Sequence, residues 1–399
     1  MNCSITLKKP ENKKVSLEVF SSVNELTEDW NSILPQAHHL HSANLSVFEE
    51  SNLKDFEYRY LLIKKNKQPA ALVYIQVLHF KKYHYQSISS GSAIIEKIED
   101  TILNKNFKIF ATGNFLRVNF PGIFILDDIL SLKEVLDLID QYLCSLKSSE
   151  RPTLFILKDL DINRKQGEAL EKNGYRLFPE DITMELHIKK EWKTINDYLS
   201  ALTKKYVQRA KKTQQAFEGV IRKELSIEEI IQHKETIEDL YHQIISAQTI
   251  RLGIIDINYI LACKKNNPEK FKVFAYFLNE KMIAFTTNII YEHKWEVHYI
   301  GIDKSLNQSL KIYHNLLLYG IKDAIENGKE ILELGRTARE AKAICGCKPS
   351  YFINYYKVNG TIAKMVFRLL EKNFKDNEGD EWKKRNPFKE VKLVTENIL

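Results

Sequence analysis

The sequence predicts an α/β fold built from two tandem copies of one module, each a mixed, mostly antiparallel sheet flanked by helices. The chain has 399 residues, more than one hydrophobic core usually fills. It is 44% hydrophobic and 28% charged, as is typical of a globular protein. One order of strands and helices also occurs twice along the chain, and such a repeat outweighs local detail in choosing a fold.

The second copy has the clearer pattern. Three strand-like runs over 271–278, 282–291 and 295–302 are separated by turns short enough for antiparallel hairpins. The spacing of apolar residues then predicts a long helix over 308–327, because they recur at steps of three and four and an Asn-Gly pair follows. A strand over 330–334 comes directly after it.

Further elements complete the second copy and repeat its order in the first. In the second copy they are a strand at 219–224, helical stretches at 226–248 and 256–265, a short helix at 338–345 and a strand at 350–356. In the first copy they are a strand at 15–20, helical stretches within 23–53, strands at 58–64, 70–80 and 108–120, a helix at 132–146, a strand at 153–158, a helix at 164–173 and a strand at 182–188.

These elements set the expected domain boundaries. We expect a non-catalytic module over 1–190, a second module with the active site over 191–373, and a charged tail over 374–399. A basic amphipathic helix over 194–217 begins the second module. A single large mixed α/β domain is the alternative.

Composition narrows the functional class. The net charge of +7 is spread over the whole chain, so it does not by itself indicate a nucleic-acid-binding protein. No apolar run approaches the roughly 20 residues that span a bilayer, and the charged first residues do not resemble a signal peptide. Five scattered cysteines favour a reducing compartment, so we expect a cytoplasmic protein.

No metal site is expected. Cys345 and Cys347 lack a second pair that would complete a tetrahedral site, and are interpreted as small buried thiols. His38, His39 and His41 lie close together in sequence, but no carboxylate or cysteine lies at ligand spacing, so substrate contact or loop packing is favoured.

Three stretches of sequence carry a family resemblance: 198–209 (YLSALTKKYVQR), 295–304 (WEVHYIGIDK) and 333–346 (ELGRTAREAKAICG). With the order of elements, they resemble the GNAT acyltransferase superfamily, and the tandem copies resemble its Fem-type, peptidoglycan-biosynthesis branch. The resemblance implies transfer of an acyl group from a thioester donor, either acyl-CoA or an acyl-carrier protein, to an amine acceptor.

The sequence departs from the GNAT pattern at two places. GNAT enzymes hold the pyrophosphate of coenzyme A on a Gly-rich loop, whereas residues 302–309 contain no glycine. Lys304, Ser305 and Ser309 are the expected phosphate donors there, and other acyl carriers become candidates. Lys342 occupies the place of the tyrosine that protonates the departing thiolate in many GNAT enzymes, and it is a candidate acid or anion ligand, or a solvated lysine on a helix face.

The remaining catalytic candidates lie on two adjacent strands. Glu333 follows an apolar strand residue and is a candidate base, with Glu296 and His298 as alternatives. Pairing of Glu333 with Arg336 or Arg339, or a structural histidine, would be a non-catalytic explanation. The resemblance implies that the backbone N–H groups from Tyr299 to Gly301 contact the donor, and a glycine at 301 fits a β-bulge.

Anion recognition is expected at two further places. Arg336 and Thr337 lie where a strand ends and a helix begins, which favours a negatively charged substrate group, and Thr337 is also a candidate helix cap. Lys205 and Arg209 belong to a dense basic run that can bind phosphate of a carrier, a tRNA or a lipid head group, or form a solvated face.

The sequence therefore leaves three functions open. The first is an N-acyltransferase that acts on a small or lipid-linked amine, with peripheral membrane contact. The second is a Fem-type aminoacyltransferase that uses aminoacyl-tRNA. The third is a binding module in which both copies have lost catalysis.

Overall fold

The computed structural model describes residues 3–7, 15–35, 37–85, 107–126, 129–178, 181–248, 250–360, 364 and 383–389. Most of the predicted tail over 374–399 lies outside these residues. In the described part of the chain, no helix combines the length and hydropathy needed to cross a membrane.

The described residues form fifteen strands. They are β1 (Cys3–Leu7), β2 (Val15–Phe20), β3 (Phe56–Lys65), β4 (Gln68–Phe80), β5 (Phe107–Thr112), β6 (Ile123–Ile125), β7 (Leu154–Leu160), β8 (Arg176–Leu177), β9 (Asp181–His187), β10 (Ile221–Glu224), β11 (Phe271–Leu278), β12 (Lys281–Ile290), β13 (Lys294–Ile302), β14 (Ile331–Glu333) and β15 (Lys348–Val358).

The α-helices lie between these strands in the order that the sequence predicts. They are Glu28–Ser32, Ser42–Glu50, Leu132–Ser145, Arg164–Lys172, Ile195–Ala201, Lys204–Gln215, Ile227–Gln232, Lys234–Ile245, Ile257–Asn266, Lys304–Leu310, Ile312–Glu326 and Arg339–Ile344. Two short 3₁₀ turns occur at Val23–Glu25 and Lys82–His84.

The chain divides into two compact units that are not contiguous in sequence. The first unit contains Met1–Asp181, Ile245–Asn266 and Phe352–Gly379. The second contains Ile182–Ile244, Asn267–Tyr351 and Asp380–Leu399. The units therefore depart from the continuous segments 1–190 and 191–373: each includes a strand from outside the range predicted for its module, β15 in the first and β9 in the second.

In the first unit the strand order is β1-β2-β3-β4-β5-β7-β15. Within this order, β5 and β7 are parallel and the other neighbours are antiparallel. The amphipathic helix Leu132–Ser145 buries its apolar side against this sheet, and its N-terminus is fixed by a capping box between Ser131 and Glu134.

In the second unit the order is β9-β14-β13-β12-β11-β10, and only β13 and β14 are parallel. The helix Ile312–Glu326 packs on one side of this sheet, where Leu317, Ile321, Trp295 and Leu332 form the core. Because neighbouring residues of a strand point to opposite sides of the sheet, the strand residues next to Trp295 and Leu332 lie on the other face. Each sheet thus has one parallel pair of strands.

Two predicted helices are interrupted. The helix expected over 308–327 begins earlier and is broken by Lys311, which has the left-handed φ of 50°, giving Lys304–Leu310 and Ile312–Glu326. The basic helix expected over 194–217 breaks at Leu202 and Thr203. The backbone at Leu202 pairs with Phe388, and the Thr203 N–H donates to Pro387 O at 2.9 Å, so this stretch bonds to another chain segment instead of to its own helix.

Candidate active site

Three glutamates lie in register across neighbouring strands of the second unit. Glu296 on β13 pairs with Glu333 on β14, and Glu333 pairs with Glu185 on β9. Residues paired in this way point to the same face of a sheet. Glu296 is 2% exposed and Glu333 is 1% exposed, so two carboxyl groups are held close together away from water.

Lys294 supplies the positive charge of the cluster. It precedes Glu296 by two residues on β13, which places both side chains on one face. Its ammonium group contacts Glu333 Oε2 and lies 3.9 Å from Glu296 Oε2. Burial by itself lowers the pKa of Lys294, but the two carboxylates outweigh burial and raise it. Lys294 is therefore a cation at neutral pH.

Glu333 has a strongly shifted pKa. Burial and the neighbouring charge of Glu296 raise it, whereas Lys294 lowers it, and together they place the pKa of Glu333 at about 7. Thr183 on β9 also donates from Oγ1 to Glu333 Oε1 at 3.3 Å. A carboxyl group with a pKa near neutrality can both accept and release a proton at physiological pH, which is what general base catalysis requires.

His298 is connected to the same cluster through Glu296. Its Nδ1 lies 2.9 Å from Glu296 Oε1, and Tyr291 donates its hydroxyl proton to Glu296 Oε2 at 3.0 Å. The His298 side chain is 3% exposed. Glu296 thus orients the imidazole, and the predicted candidates Glu333, Glu296 and His298 belong to one group that is linked by hydrogen bonds and by the ion pair from Lys294 to Glu296.

A β-bulge lies at His298 and not at Gly301, where it was expected. Thr287 pairs with Tyr299 and Asn288 with Val297, so His298 is the additional residue of β13. The Tyr299 N–H donates to Thr287 Oγ1 at 2.9 Å and already has a protein acceptor.

Gly301 is required for packing. A Cβ atom at this position would lie 2.2 Å from Phe285 Cε1 and 2.8 Å from the backbone carbon of Leu240. The missing side chain therefore makes room for an aromatic ring and a helix, and a contact between the Gly301 backbone and a donor stays a prediction.

The loop expected to bind phosphate is a helix whose first N–H groups have protein acceptors. Lys304 N–H donates to Gln243 Oε1 at 2.9 Å, and Ser305 N–H donates to Asp303 Oδ1 at 3.0 Å. Hydrogen bonds from Ser305, and then Lys281, lower the pKa of Asp303, so its carboxylate is charged at neutral pH. A phosphate group would have to displace this carboxylate. Ser309 donates to Leu306 O at 3.1 Å from an exposed position.

Lys342 is buried and not a solvated lysine. It is 2% exposed and donates from Nζ to Gly335 O at 3.1 Å. Burial lowers the pKa of Lys342 to about 8, although Cys347 and Glu333 act in the opposite direction. Among the described residues no carboxylate forms an ion pair with its ammonium group. Cys345 and Cys347 are also buried.

Two of the predicted anion-binding residues, Arg336 and Thr337, follow Glu333 closely in sequence, and the other two lie on a separate helix. Arg336 is partly buried and Thr337 is exposed just before the helix Arg339–Ile344. Thr337 does not cap this helix, because the N-cap is Ala338 in the left-handed conformation with φ 52°. Lys205 and Arg209 are both exposed on the helix Lys204–Gln215.

Sequence reasoning missed Lys294, Thr183, Glu185 and Tyr291. The spacing of Lys294 from Glu296 on a strand was a usable signal, because residues two apart share a face. Thr183 and Glu185 could not be found in this way, since the pairing of β9 with β14 joins residues almost 150 positions apart, as in the contact from Thr183 to Glu333.

The histidines of the first unit make structural contacts. His39 Nε2 lies 2.7 Å from Pro121 O, and the rings of His38 and His39 stack with centroids 4.3 Å apart. Burial lowers the pKa of His39 to about 4. In the part of the chain that the structure describes, no group of three or more potential metal ligands is present.

Comparisons with known proteins identify similarity in structure only. No protein-family model matches the sequence. No curated protein matches it either. Among solved structures, a tandem GNAT protein from the clavulanic acid biosynthesis pathway superimposes with a TM-score of 0.50 at 8% identity, covering 86% of this chain and 99% of that chain.

Two other solved structures have TM-scores below 0.5. FemX gives 0.49 at 12% identity, with 82% of this chain and 93% of that chain covered. A probable N-acyltransferase from Enterococcus faecalis V583 gives 0.47 at 11% identity, with 87% of this chain and 73% of that chain covered. The superposition on the tandem GNAT protein, together with the repeated order of strands, shows that this chain has a tandem GNAT fold.

Proposed function

We propose that this protein is an N-acyltransferase, and that Glu333 is its general base. The observation that carries the proposal is a carboxyl group with 1% exposure and a pKa of about 7, placed on the parallel strand pair β13–β14 beside Lys294, Glu296 and His298. A pKa matched to neutral pH is typical of catalytic carboxyl groups. If Lys294 and Glu333 formed a purely structural ion pair, a second buried glutamate that raises the pKa of Glu333 would not be needed.

In the proposed reaction the amine acceptor loses a proton to Glu333 and attacks the carbonyl carbon of the thioester. A C–N bond forms, the C–S bond breaks, and the thiolate takes a proton from Lys342. The pKa of Lys342 at about 8 is close to that of a free thiol, roughly 8.5, so this proton transfer is nearly balanced. Glu296 holds His298 in place, and this pair is the second candidate for accepting the amine proton.

The donor is proposed to be an acyl thioester, on coenzyme A or on an acyl-carrier protein. We do not assign the donor phosphates to Lys304, Ser305 and Ser309, because Asp303 and Gln243 accept the N–H groups at the start of that helix. Arg336 and Thr337 remain the proposed contacts for a negatively charged group of the substrate, together with Lys205 and Arg209. The proposed location is the cytoplasm.

The N–H groups of Lys304 and Ser305 already have protein acceptors, and this favours one further candidate function. It is an aminoacyltransferase of the Fem type that takes its acyl group from aminoacyl-tRNA. Such a donor carries no coenzyme A pyrophosphate and needs no glycine-rich cradle. A panel of acyl-CoA, acyl-carrier-protein and aminoacyl-tRNA donors, each with a set of amines and followed by mass spectrometry of the product, distinguishes the donors.

The test of the catalytic assignment is Glu333→Gln. We expect the rate with any active donor to fall by roughly 100-fold or more, because the amide cannot accept the proton. Glu326→Gln, on an exposed helix turn, is the matched control and should leave the rate unchanged. Equal rates for Glu333→Gln and the wild type, with the fold intact by circular dichroism, would contradict the assignment.

A further inference from the structure

One helix of the second unit has an outward face made of cations and glutamines, with no acidic residue. The helix Lys204–Gln215 turns Ala210 and Thr213 inward, where both are buried, and Tyr206 and Val207 pack against the core of the second unit. The sequence has no acidic residue from 198 to 217. Its exposed cations are Lys204, Lys205, Arg209, Lys211 and Lys212.

A second segment brings more positive charge to the N-terminal end of this helix. Residues 383–389 are held there by the hydrogen bonds from Thr203 N–H to Pro387 O and from Lys389 N–H to Ala201 O. Phe388 packs on Trp192 and Tyr198, with ring centroids 5.7 and 6.1 Å away. The segment adds Lys383, Lys384 and Arg385, all exposed. We call these three cations and the five of the helix the basic surface.

The basic surface has little compensation from acidic side chains. Arg385 contacts Glu340, and the charges of Arg385, Lys383 and Arg209 lower the pKa of this carboxyl group, so three of the eight cations share one carboxylate. Among the described residues, none of the five helix cations forms a direct ion pair. Burial, and then the charges of Arg209 and Lys311, lower the pKa of His314 on the helix Ile312–Glu326. A concentration of like charge without partners is unfavourable unless a polyanion binds it.

The chemistry of the surface indicates which polyanion. The exposed positions of the helix carry only Lys, Arg and Gln, and its aromatic residue, Tyr206, is half-buried against the core of the second unit. The helix therefore has no row of exposed rings on which unpaired bases could stack. Side chains cannot read the deep, narrow major groove of an RNA duplex, so a protein contacts such a duplex mainly through phosphates and 2′-hydroxyl groups. Clusters of four to eight Lys and Arg on an amphipathic helix are typical of proteins that bind anionic lipid head groups.

We propose that the basic surface binds the phosphate head groups of an anionic membrane. No exposed apolar side chain on the helix is available for insertion, so the contact is electrostatic and reversible by salt. The interaction would hold the protein at a membrane surface without requiring a lipid substrate. It does not rest on the acyl transfer proposed above. The substitutions that test it leave out Lys205 and Arg209, which the proposed function assigns to the substrate, so the two proposals can fail separately.

The test is co-sedimentation of the full chain with vesicles of phosphatidylcholine, with and without about one-third phosphatidylglycerol. We expect binding only to the anionic vesicles, and its loss as ionic strength rises from about 0.05 to 0.5 M. The variant with Lys204→Gln, Lys211→Gln and Lys212→Gln should bind about 100-fold more weakly. Each lysine near an anionic surface contributes about 1 kcal/mol, or about fivefold.

The control removes the same charge elsewhere. Lys234→Gln, Lys265→Gln and Lys270→Gln change three exposed lysines outside the basic surface and should leave vesicle binding within about threefold of the wild type. Equal melting temperatures establish that both variants fold.

Two results would overturn the proposal. One is equal weakening of vesicle binding in both triple variants, which would indicate net charge alone. The other is displacement of the protein from anionic vesicles by a small amount of mixed tRNA, combined with tRNA binding that depends on Lys204, Lys211 and Lys212, which would make the surface a nucleic-acid site.

Discussion

At the scale of single residues, the protonation of Glu333 depends on two neighbours of opposite charge. Lys294 lowers its pKa and Glu296 raises it. If Glu333 is the base, activity requires its ionised form, so the rate should rise with pH through about 7. The acid limb of the pH profile therefore reports the pKa of this one carboxyl group, and its neighbours can be used to move it in either direction.

We expect Lys294→Met to move this limb to higher pH and Glu296→Gln to move it to lower pH. Removing a cation in contact raises the pKa of a carboxyl group by about one unit or more, and removing a neighbouring carboxylate lowers it. The measurement is kcat/KM between pH 5 and 9 for both variants, with Lys294→Arg as a control that keeps the charge. Displacement of both profiles in one direction would be inconsistent with Glu333 as the titrating group.

Burial of the Lys342 ammonium group lowers the stability of the folded protein at neutral pH. Its pKa is about 8 in the folded protein and 10.5 in the unfolded chain, a difference that corresponds to about 3 kcal/mol of destabilisation at pH 7. Because the folded state loses this proton first, the free energy of unfolding should increase as pH rises from 8 to 10.5. A buried ammonium group that costs stability is typical of a residue retained for function.

Lys342→Met should therefore raise the free energy of unfolding at pH 7 by about 2 kcal/mol. Loss of the hydrogen bond to Gly335 O offsets part of the gain from removing the buried charge. The gain should shrink near pH 10, where the wild-type lysine is already neutral. Denaturant titrations at pH 7 and 10 measure both values, and activity should fall in the same variant. A destabilised variant at pH 7 would show that the lysine is structural.

At the scale of elements, the path of β13 depends on a close approach between Gly301, the Phe285 ring and the helix Lys234–Ile245. Gly301→Ala should lower the free energy of unfolding by about 1–3 kcal/mol, since the new methyl group has no space. Combining it with Phe285→Leu should cost less than the sum of the two single changes, because the added methyl group then meets a smaller side chain. Normal stability with lost ligand binding would instead support the prediction that Gly301 contacts a ligand.

Local sequence patterns predicted the elements but not their interruptions. The strands of the second unit follow from alternation and short turns, and β11, β12 and β13 begin and end within one residue of the predicted limits. The break at Lys311 needs a lysine with positive φ, which local propensity disfavours. The break at Leu202 depends on backbone pairing with Phe388, and no periodicity near residue 202 carries that information.

The same limit applies to the candidate site. Glu333 and His298 could be named because polar residues in apolar strands are unusual, and Lys342 because the resemblance aligns it with the tyrosine of many GNAT enzymes. Lys294 resembles any surface lysine until Glu333 is placed beside it, and Thr183 reaches the site only through long-range strand pairing. Local sequence therefore identified residues whose type or position in the chain is unusual. The structure was needed to identify Lys294 and Thr183, which become notable only through their spatial neighbours.

At the scale of the whole molecule, the chain passes repeatedly between its two compact units. A fragment of residues 1–190 lacks the β15 residues that pair with β7, and lacks the helix Ile257–Asn266, in which Asn266 donates to Glu50 at 2.8 Å. A fragment of residues 191–373 lacks β9, so β14 loses the partner strand next to Glu333. Each fragment would then expose unpaired strand edges and apolar surface.

We therefore expect neither fragment alone to show a cooperative thermal transition, although each corresponds to one predicted module. Co-expression of residues 1–190 with residues 191–399 should restore a soluble complex, because every strand then has its partner and the 383–389 segment is present. Circular dichroism melts of each piece and of the co-purified pair provide the measurement. A sharp transition in the isolated 1–190 fragment would show that the first module folds without β15, and that the strands taken from outside its range are additions to a complete domain.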